Sequence, residues 1–235
     1  LLSKKGISAQ QVAEQLQTFK TGFPFLPIEE AATIGKGIIC PSQEEVDAAL
    51  ATWDNYCTSG KSILKFVPAS GAASRMFKDL FSFLSAEYDV PTTDFEKNFF
   101  ANIEKFAFYD DLDKACTKNK GAGIKELVVA GKYKDVVFNL LDFTGMNYGS
   151  LPKGLLKFHT YESDTRTAAE EHFVEGALYA ATNGKVQLHF TVSPNQKALF
   201  QELVAERKAY YEQLFGVTYD ICFSEQKQST DTIAA

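Results

Sequence analysis

The chain has 235 residues, 45% hydrophobic and 13% aromatic with 20 Phe, and its 24 Lys+Arg against 30 Asp+Glu leave a formal net charge of −6. That is enough apolar material for one large domain, or for a domain with an attached helical piece, and it argues against a disordered chain. The acidic balance speaks against nucleic-acid binding, which needs clustered basic charge, but leaves room for a local cationic pocket for small anions.

In chain order, "SAQQVAEQLQTFK" (8–20) predicts a helix, with Ile7, Val12, Leu16 and Phe19 on one side. "QEEVDAALATWDNYCT" (43–58) predicts a second, capped by Ser42 with Glu45 reaching back. "SILKFVP" (62–68) is short, apolar and β-rich, the pattern of a buried strand. A loop of small residues, "ASGAASR" (69–75), follows at once. From Arg75 to about Asp142 the periodicity is helical, over 75–88, 93–112 and 123–143, and the repeated Phe at that spacing predicts core packing. "TGMNYGSLPKG" (144–154) has loop composition, and "LLKFHTYES" (155–163) is extended. "TAAEEHFVEGALYAATNG" (167–184) predicts a helix opened by a Thr167–Glu170 capping box and closed near Gly184. "KVQLHFTVS" (185–193) alternates as a strand. A helix runs over 194–215 to a stop at Gly216, and "VTYDICFSEQ" (217–226) is a further strand.

Strand, helix, strand after Lys185, with the early strand and its loop, predicts an α/β fold with a mainly parallel sheet. The expected organisation is a helical N-terminal segment (1–60), an α/β domain from 61–76 and 144–235, and a helical insertion (77–143). The four cysteines, Cys40, Cys57, Cys116 and Cys222, form no C-x-x-C pair. A zinc knuckle is not indicated, and a reducing, cytoplasmic setting is expected. No apolar run is long enough for a membrane helix.

A strand that feeds a bare loop opening a helix suits a phosphate. Missing side chains let backbone N–H groups approach an anion, and a helix N-terminus adds its dipole. Arg75 at the loop's end would grip a phosphate in two places. The competing reading is a tight strand-to-helix turn with a surface arginine. The loop lacks G-x-x-x-x-G-K-[ST] and G-x-G-x-x-G, so neither the P-loop nor the dinucleotide fingerprint is present.

"ASGAASRM" resembles the nucleotide-binding loop of the uridylyltransferase-type sugar nucleotidyltransferases, matched here by Ser70, Gly71, Ala72, Ala73, Ser74, Arg75 and Met76. Pro152, Lys153 and Gly154 match that family's Pro-Lys-Gly. "TVSP" (191–194), "LFGV" (214–217) and "CFSEQ" (222–226) follow in the family's order. The run "PASGAASRMF", with "KGLLKFH" and "FTVSP", is also similar to an uncharacterised bacterial family, a domain of unknown function. The first resemblance implies a Rossmann-like sheet of the nucleotide-diphospho-sugar transferase type. It implies transfer of a nucleotidyl group from a nucleoside triphosphate to a sugar 1-phosphate, with Mg²⁺ and release of pyrophosphate. Residues 69–74 would wrap the phosphates, Arg75 would hold the leaving pyrophosphate, and Lys153 would touch the α-phosphate or the sugar phosphate. Gln226 would lie at the nucleotide edge of the sheet. It also implies a base-recognition loop and a metal-binding aspartate beyond the matched region, so the metal ligands are not assigned.

The chain departs from that pattern. Ser70 and Ala73 stand where the family has Gly. A long helical stretch, which could carry a protein partner, separates Arg75 from Lys153. The alternatives are a non-catalytic nucleotide or sugar-phosphate binder on the same fold, and a related glycosyltransferase using an Asp-x-Asp motif. "DLD" (111–113) fits that motif in letters but sits in a helical stretch. His159, His172 and His189 are expected in structural or surface roles, with His159 nearest the Pro-Lys-Gly loop. Glu170, Glu171 and Glu175 are expected to cap a helix and face solvent. No Ser-His-Asp or Cys-His arrangement is indicated.

Overall fold

A computed structural model describes residues 2–162, 164–227 and 229. They fall into two compact units, Leu1–Lys61 with Gln226–Ala235, and Ser62–Glu225.

The first unit holds α1 (Leu2–Lys5), α2 (Ala9–Thr21), β1 (Thr33–Ile34), β2 (Gly37–Ile38) and α3 (Gln43–Thr58). Ser8 with Gln11, and Ser42 with Glu45, form reciprocal capping boxes that satisfy N–H groups the first helical turn leaves free. The second of these is the cap expected from sequence. None of the residues of α2 or α3 is buried, and Leu16, Phe19 and Leu50 stay exposed.

The second unit begins with β3 (Leu64–Pro68). The helical stretch follows as α4 (Lys78–Ser85), α5 (Asp94–Ala101), α6 (Tyr109–Lys120), α7 (Ile124–Val129) and α8 (Tyr133–Leu141). The long helices expected over 93–112 and 123–143 are each broken. A 3₁₀ turn at Ile103–Lys105 interrupts the first, and Gly131, at φ 73°, interrupts the second. A second 3₁₀ turn, Lys153–Leu155, leads into β4 (Lys157–Thr160), β5 (Thr165–Thr167), α9 (Ala168–Tyr179), β6 (Ala181–Thr182), β7 (Lys185–Val192), α10 (Lys197–Phe215) and β8 (Thr218–Glu225).

The Thr167–Glu170 box opens α9 as expected, but Gly184 does not close that helix. α9 stops at Tyr179, and Asn183 and Gly184, both at positive φ, make the two-residue turn between β6 and β7. Gly216 does end α10, in the left-handed region.

β7 is the axis of a four-stranded sheet. β3 pairs with it in parallel over 187–191, and β8 pairs in parallel over its full length, 185–192. β3 and β8 therefore occupy opposite edges, and β6 continues the β3 edge in antiparallel sense. Val186, Leu188, Phe190 and Val192 of β7 point to one face and are buried with Val67, Phe173, Phe200, Tyr211 and Tyr219, so α9 and α10 supply the cover. The other face carries Leu64 and Phe66, 56% and 58% exposed, so the strand expected to be buried is buried only at Val67. Phe66 instead stacks on His189 at 5.2 Å.

A second core lies in the helical stretch, built on Leu80, Phe83, Leu112, Val136 and Leu140. It takes in Ala73 and Phe77 from one side and Tyr148 and Leu156 from the other. The residues flanking the bare loop and the Pro-Lys-Gly turn thus close the helical core.

Candidate functional site

Three loops gather at the carboxyl end of the parallel strands, the usual place for a ligand in an open α/β sheet. The first follows β3. The Ala69 N–H donates to Thr191 O of β7 at 2.7 Å, carrying the pairing one residue past the strand. The second is Pro152–Gly154. Ala72 forms an antiparallel bridge with Pro152, and the Lys153 N–H donates to Gly71 O at 3.0 Å. The third, Ser193–Gln196, leads from β7 into α10.

The loop's composition has separate causes at separate residues. Ala73 is 1% exposed, so its small side chain serves the helical core. Gly71 is exposed, its φ is not positive, and a Cβ there would meet only Lys153 Cδ, at 4.0 Å. Neither backbone strain nor packing asks for glycine at 71. Gly154 is the opposite case. A Cβ there would stand 2.8 Å from Cζ of Phe200, a buried α10 residue, so this glycine lets the Lys153 turn lie flat against the helix.

The expectation that the loop opens a helix at Arg75 is corrected. Residues 74–77 form a turn, with Met76 N–H donating to Ala73 O at 2.9 Å, and α4 starts at Lys78 without a side-chain cap. The α4 dipole therefore begins past the loop. Ser74 and Arg75 line a shallow groove with Lys78, Phe81, Ser82 and Ser85. Arg75, Lys78 and Lys153 make no ion pair among the described residues. The structure thus joins Gly71 and Ala72 to Pro152 and Lys153, places Ser70 half-buried in the loop between them and β3, and turns Arg75 toward α4. Gln226 directly follows β8 and is counted with the first unit.

Lys197, at the start of α10, pairs with Glu225 at the end of β8 at 2.9 Å. Among the described residues no cluster of three or more His, Cys, Asp or Glu is arranged to hold a metal ion, and no helix is long and apolar enough to cross a membrane.

Away from these loops the structure assembles a charged cluster that sequence reasoning missed. Glu170, read from sequence as a capping residue, is buried. One of its oxygens accepts from Thr167 N–H at 2.8 Å and from the Thr167 hydroxyl at 2.9 Å. The other accepts from Arg207 Nε and from the Tyr211 hydroxyl at 3.3 Å. Burial pushes the Tyr211 phenol up. Beside it, Glu171 accepts from Tyr161 at 2.7 Å and bonds His159 Nδ1 at 3.0 Å, with Arg166 at 3.5 Å. Burial works to raise the Glu171 carboxyl, but Tyr161, His159 and Arg166 outweigh it and hold it below the usual range.

The other two histidines are also engaged. His172 bonds Glu175 at 2.9 Å, and Glu175 pairs with Lys65 at 2.7 Å under the covered face. His189 Nε2 lies 2.8 Å from Ser224 Oγ across the open face. No acid meets the other nitrogen of His189 among the described residues, so the pair reads as a cross-strand bond rather than a catalytic dyad. Asp111 and Asp113, the two acids of "DLD", serve the helical core. Asp111 pairs with Lys157, and Asp113 accepts from Ile124 N–H at 2.7 Å.

The chain belongs to the family described as a domain of unknown function, DUF4301, whose family model matches residues 1–235. No curated protein and no solved structure matches it.

Proposed function

We propose that the Ser62–Glu225 unit is a nucleotide-binding α/β domain of the Rossmann-like, nucleotide-diphospho-sugar transferase type, and that its site lies at the junction of Ala69–Arg75 with Pro152–Gly154. The observation that carries this reading is the Lys153 N–H bond to Gly71 O at 3.0 Å. It fastens together two segments, far apart in sequence, that the uridylyltransferase resemblance independently marks as phosphate-handling. The open Gly71 surface and Lys153, which makes no ion pair among the described residues, give the junction a bare backbone and a cation, as a polyphosphate requires, and Arg75 follows at the loop's end on the α4 side.

The reaction proposed is nucleotidyl transfer. An oxygen of a sugar 1-phosphate attacks the α-phosphorus of a nucleoside triphosphate. The bond from that phosphorus to the α,β-bridging oxygen breaks, and pyrophosphate leaves with the electron pair. No proton needs to be removed from a phosphate nucleophile at neutral pH, so the chain's work is orientation and charge neutralisation. Lys153 would hold the α-phosphate or the acceptor phosphate, Arg75 the departing pyrophosphate, and Ala69–Ser74 the phosphate chain.

Mg²⁺, when bound, neutralises phosphate charge and lines up the phosphates. Glu225, the carboxylate at the end of β8, is already paired with Lys197, and among the described residues no cluster of three or more His, Cys, Asp or Glu is arranged to hold a metal ion, so the chain's own side chains present no ready set for Mg²⁺.

A second reading, a non-catalytic binder of nucleotides or sugar phosphates, is favoured by one feature. α4 starts only at Lys78, so no helix dipole begins at the loop to steady developing charge.

The test is calorimetric titration of the chain with each common nucleoside triphosphate, with and without Mg²⁺, alongside Arg75→Ala and Lys153→Ala. Binding of one triphosphate that weakens at least tenfold in both variants is expected, followed by pyrophosphate release once a sugar 1-phosphate is added. Binding without release under any acceptor selects the second reading. No binding by a cooperatively melting protein overturns both.

A further inference from the structure

The helical stretch encloses a cavity of about 480 Å³ that the proposed nucleotide site does not use. It lies between α4, α5, the Ile103–Phe108 segment and the start of β4. Protein interiors are close-packed, with few voids larger than a water molecule, while small-molecule sites run to ~300–1,000 Å³. The size is that of a site. The walls are rings: Phe106 and Phe108 stack at 5.0 Å, Phe108 meets Tyr148 edge-on at 5.5 Å, and Tyr148 meets Phe77 at 6.2 Å. Phe95 and Phe158 also line it and remain more than two-fifths exposed, so large apolar surface faces the opening.

Polar groups are few and of one sign. Lys105 is exposed, donates to Asn102 Oδ1 at 2.7 Å, and makes no ion pair among the described residues. Asn102 is in turn fixed by its Nδ2 donating to Asn98 Oδ1 at 2.8 Å. Lys157, also in the lining, is already neutralised by Asp111. An aromatic chamber with one uncompensated ammonium, held in place by an asparagine pair, complements a ligand with an apolar body and one negative head.

We propose that this cavity binds an amphiphilic anion, its apolar part among Phe77, Phe99, Phe108 and Tyr148 and its acidic head at Lys105. The head is a carboxylate or a phosphate monoester, and both would use the same ammonium. This site is separate from the nucleotide site and does not depend on that reading.

The test is a fluorescence titration of the full chain with 1-anilinonaphthalene-8-sulfonate, an aromatic monoanion, at low and high salt. Saturable one-site binding with blue-shifted emission is expected. Lys105 is exposed, so Lys105→Met should leave the fold intact. It should weaken binding roughly twofold to fivefold, the modest weight of an exposed charge, and flatten the salt dependence, while Lys105→Arg restores both. Ala107→Trp, filling the chamber, should abolish binding. Met76→Trp, on a lining residue 40% exposed, does the same job if the first variant melts early. Arg75→Ala and Lys153→Ala should change nothing, which separates this site from the nucleotide site. Displacement of the probe by decanoate or by decyl phosphate tells which head is preferred. Unchanged affinity in Lys105→Met and in both tryptophan variants would overturn the proposal, as would displacement by decanol equal to that by either anion.

Discussion

Around Glu170 each carboxylate oxygen is met from inside the protein, by Thr167, Arg207 and Tyr211, whereas Arg75 at the end of the bare loop, and Lys153 in the turn bound to that loop, make no ion pair among the described residues. Both regions collect charge within one compact unit. In the first the charge is spent on joining α9 to α10. In the second it is held open at a bare backbone. A buried ion that lacks a full set of partners is costly, so the Glu170 cluster is complete and structural. Exposed cations carry little such cost, and they can wait for a ligand.

The largest effect that would sharpen this contrast comes from Glu170→Ala. Removing the buried carboxylate strands the Thr167 N–H and the Tyr211 hydroxyl and leaves Arg207 without its main partner. A loss of about 2–4 kcal/mol is expected, toward the lower end because the Arg207 side chain is 31% exposed. Urea denaturation reads it directly, and a cost under about 0.5 kcal/mol, the level of an ordinary surface change, would erase the distinction between the two regions.

Next is Gly154→Ala. The added methyl would stand 2.8 Å from Phe200 Cζ, and Phe200 is buried with little room to yield. Overpacking of this kind costs about 1–3 kcal/mol, to be measured as a lowered Tm. The same change should also loosen the Lys153 turn and weaken triphosphate binding.

The acid limb of stability comes third. Glu171 is held below its ordinary carboxyl value in the folded protein. Its contribution is therefore fully present above the unfolded value, near 4.5, and is lost as the pH falls from there through the lowered folded value. Glu171→Gln should remove part of the steepness of the stability curve below about pH 4.5 and leave its shape near neutrality unchanged. If the wild-type and variant curves stay parallel through that window, the Tyr161–His159–Arg166 contacts do not lower the Glu171 carboxyl in the folded protein.

Much of the scaffold was legible in the sequence, for physical reasons that differ by element. β7 alternates, and the buried residues are the apolar set Val186, Leu188, Phe190 and Val192. The Ser42–Glu45 and Thr167–Glu170 boxes were readable because a capping box is a local pattern three residues wide. What failed was long-range. "SILKFVP" has a strand's composition, but composition does not reveal that one face of its sheet is uncovered at Leu64 and Phe66. Glu170 was recognised as a cap, yet its partners Arg207 and Tyr211 lie on another helix at no characteristic spacing. The meeting of Gly71 with Lys153 was suggested only by resemblance, since nothing in either segment's own pattern places them together. The buried role of Ala73 was hidden because alanine looks the same in a core and in a loop.

The smallest expected effect on stability is the most telling, because it tests why the loop is bare. Gly71 has no positive φ, and a Cβ there would touch only Lys153 Cδ at 4.0 Å, an ordinary contact with the end of a flexible chain. Gly71→Ala should therefore change stability by no more than about 0.5 kcal/mol, in the direction of a slight gain because alanine restricts the unfolded chain. If glycine is there to let phosphate reach the backbone, the same methyl should weaken triphosphate binding severalfold, and Gly71→Val, compared at a temperature where both variants are folded, should weaken it further. That pattern is the reverse of Gly154→Ala, where binding falls together with the fold. A Gly71→Val protein that binds as wild type would mean that the open backbone serves no ligand, leaving the arginine and lysine beside it as surface charge.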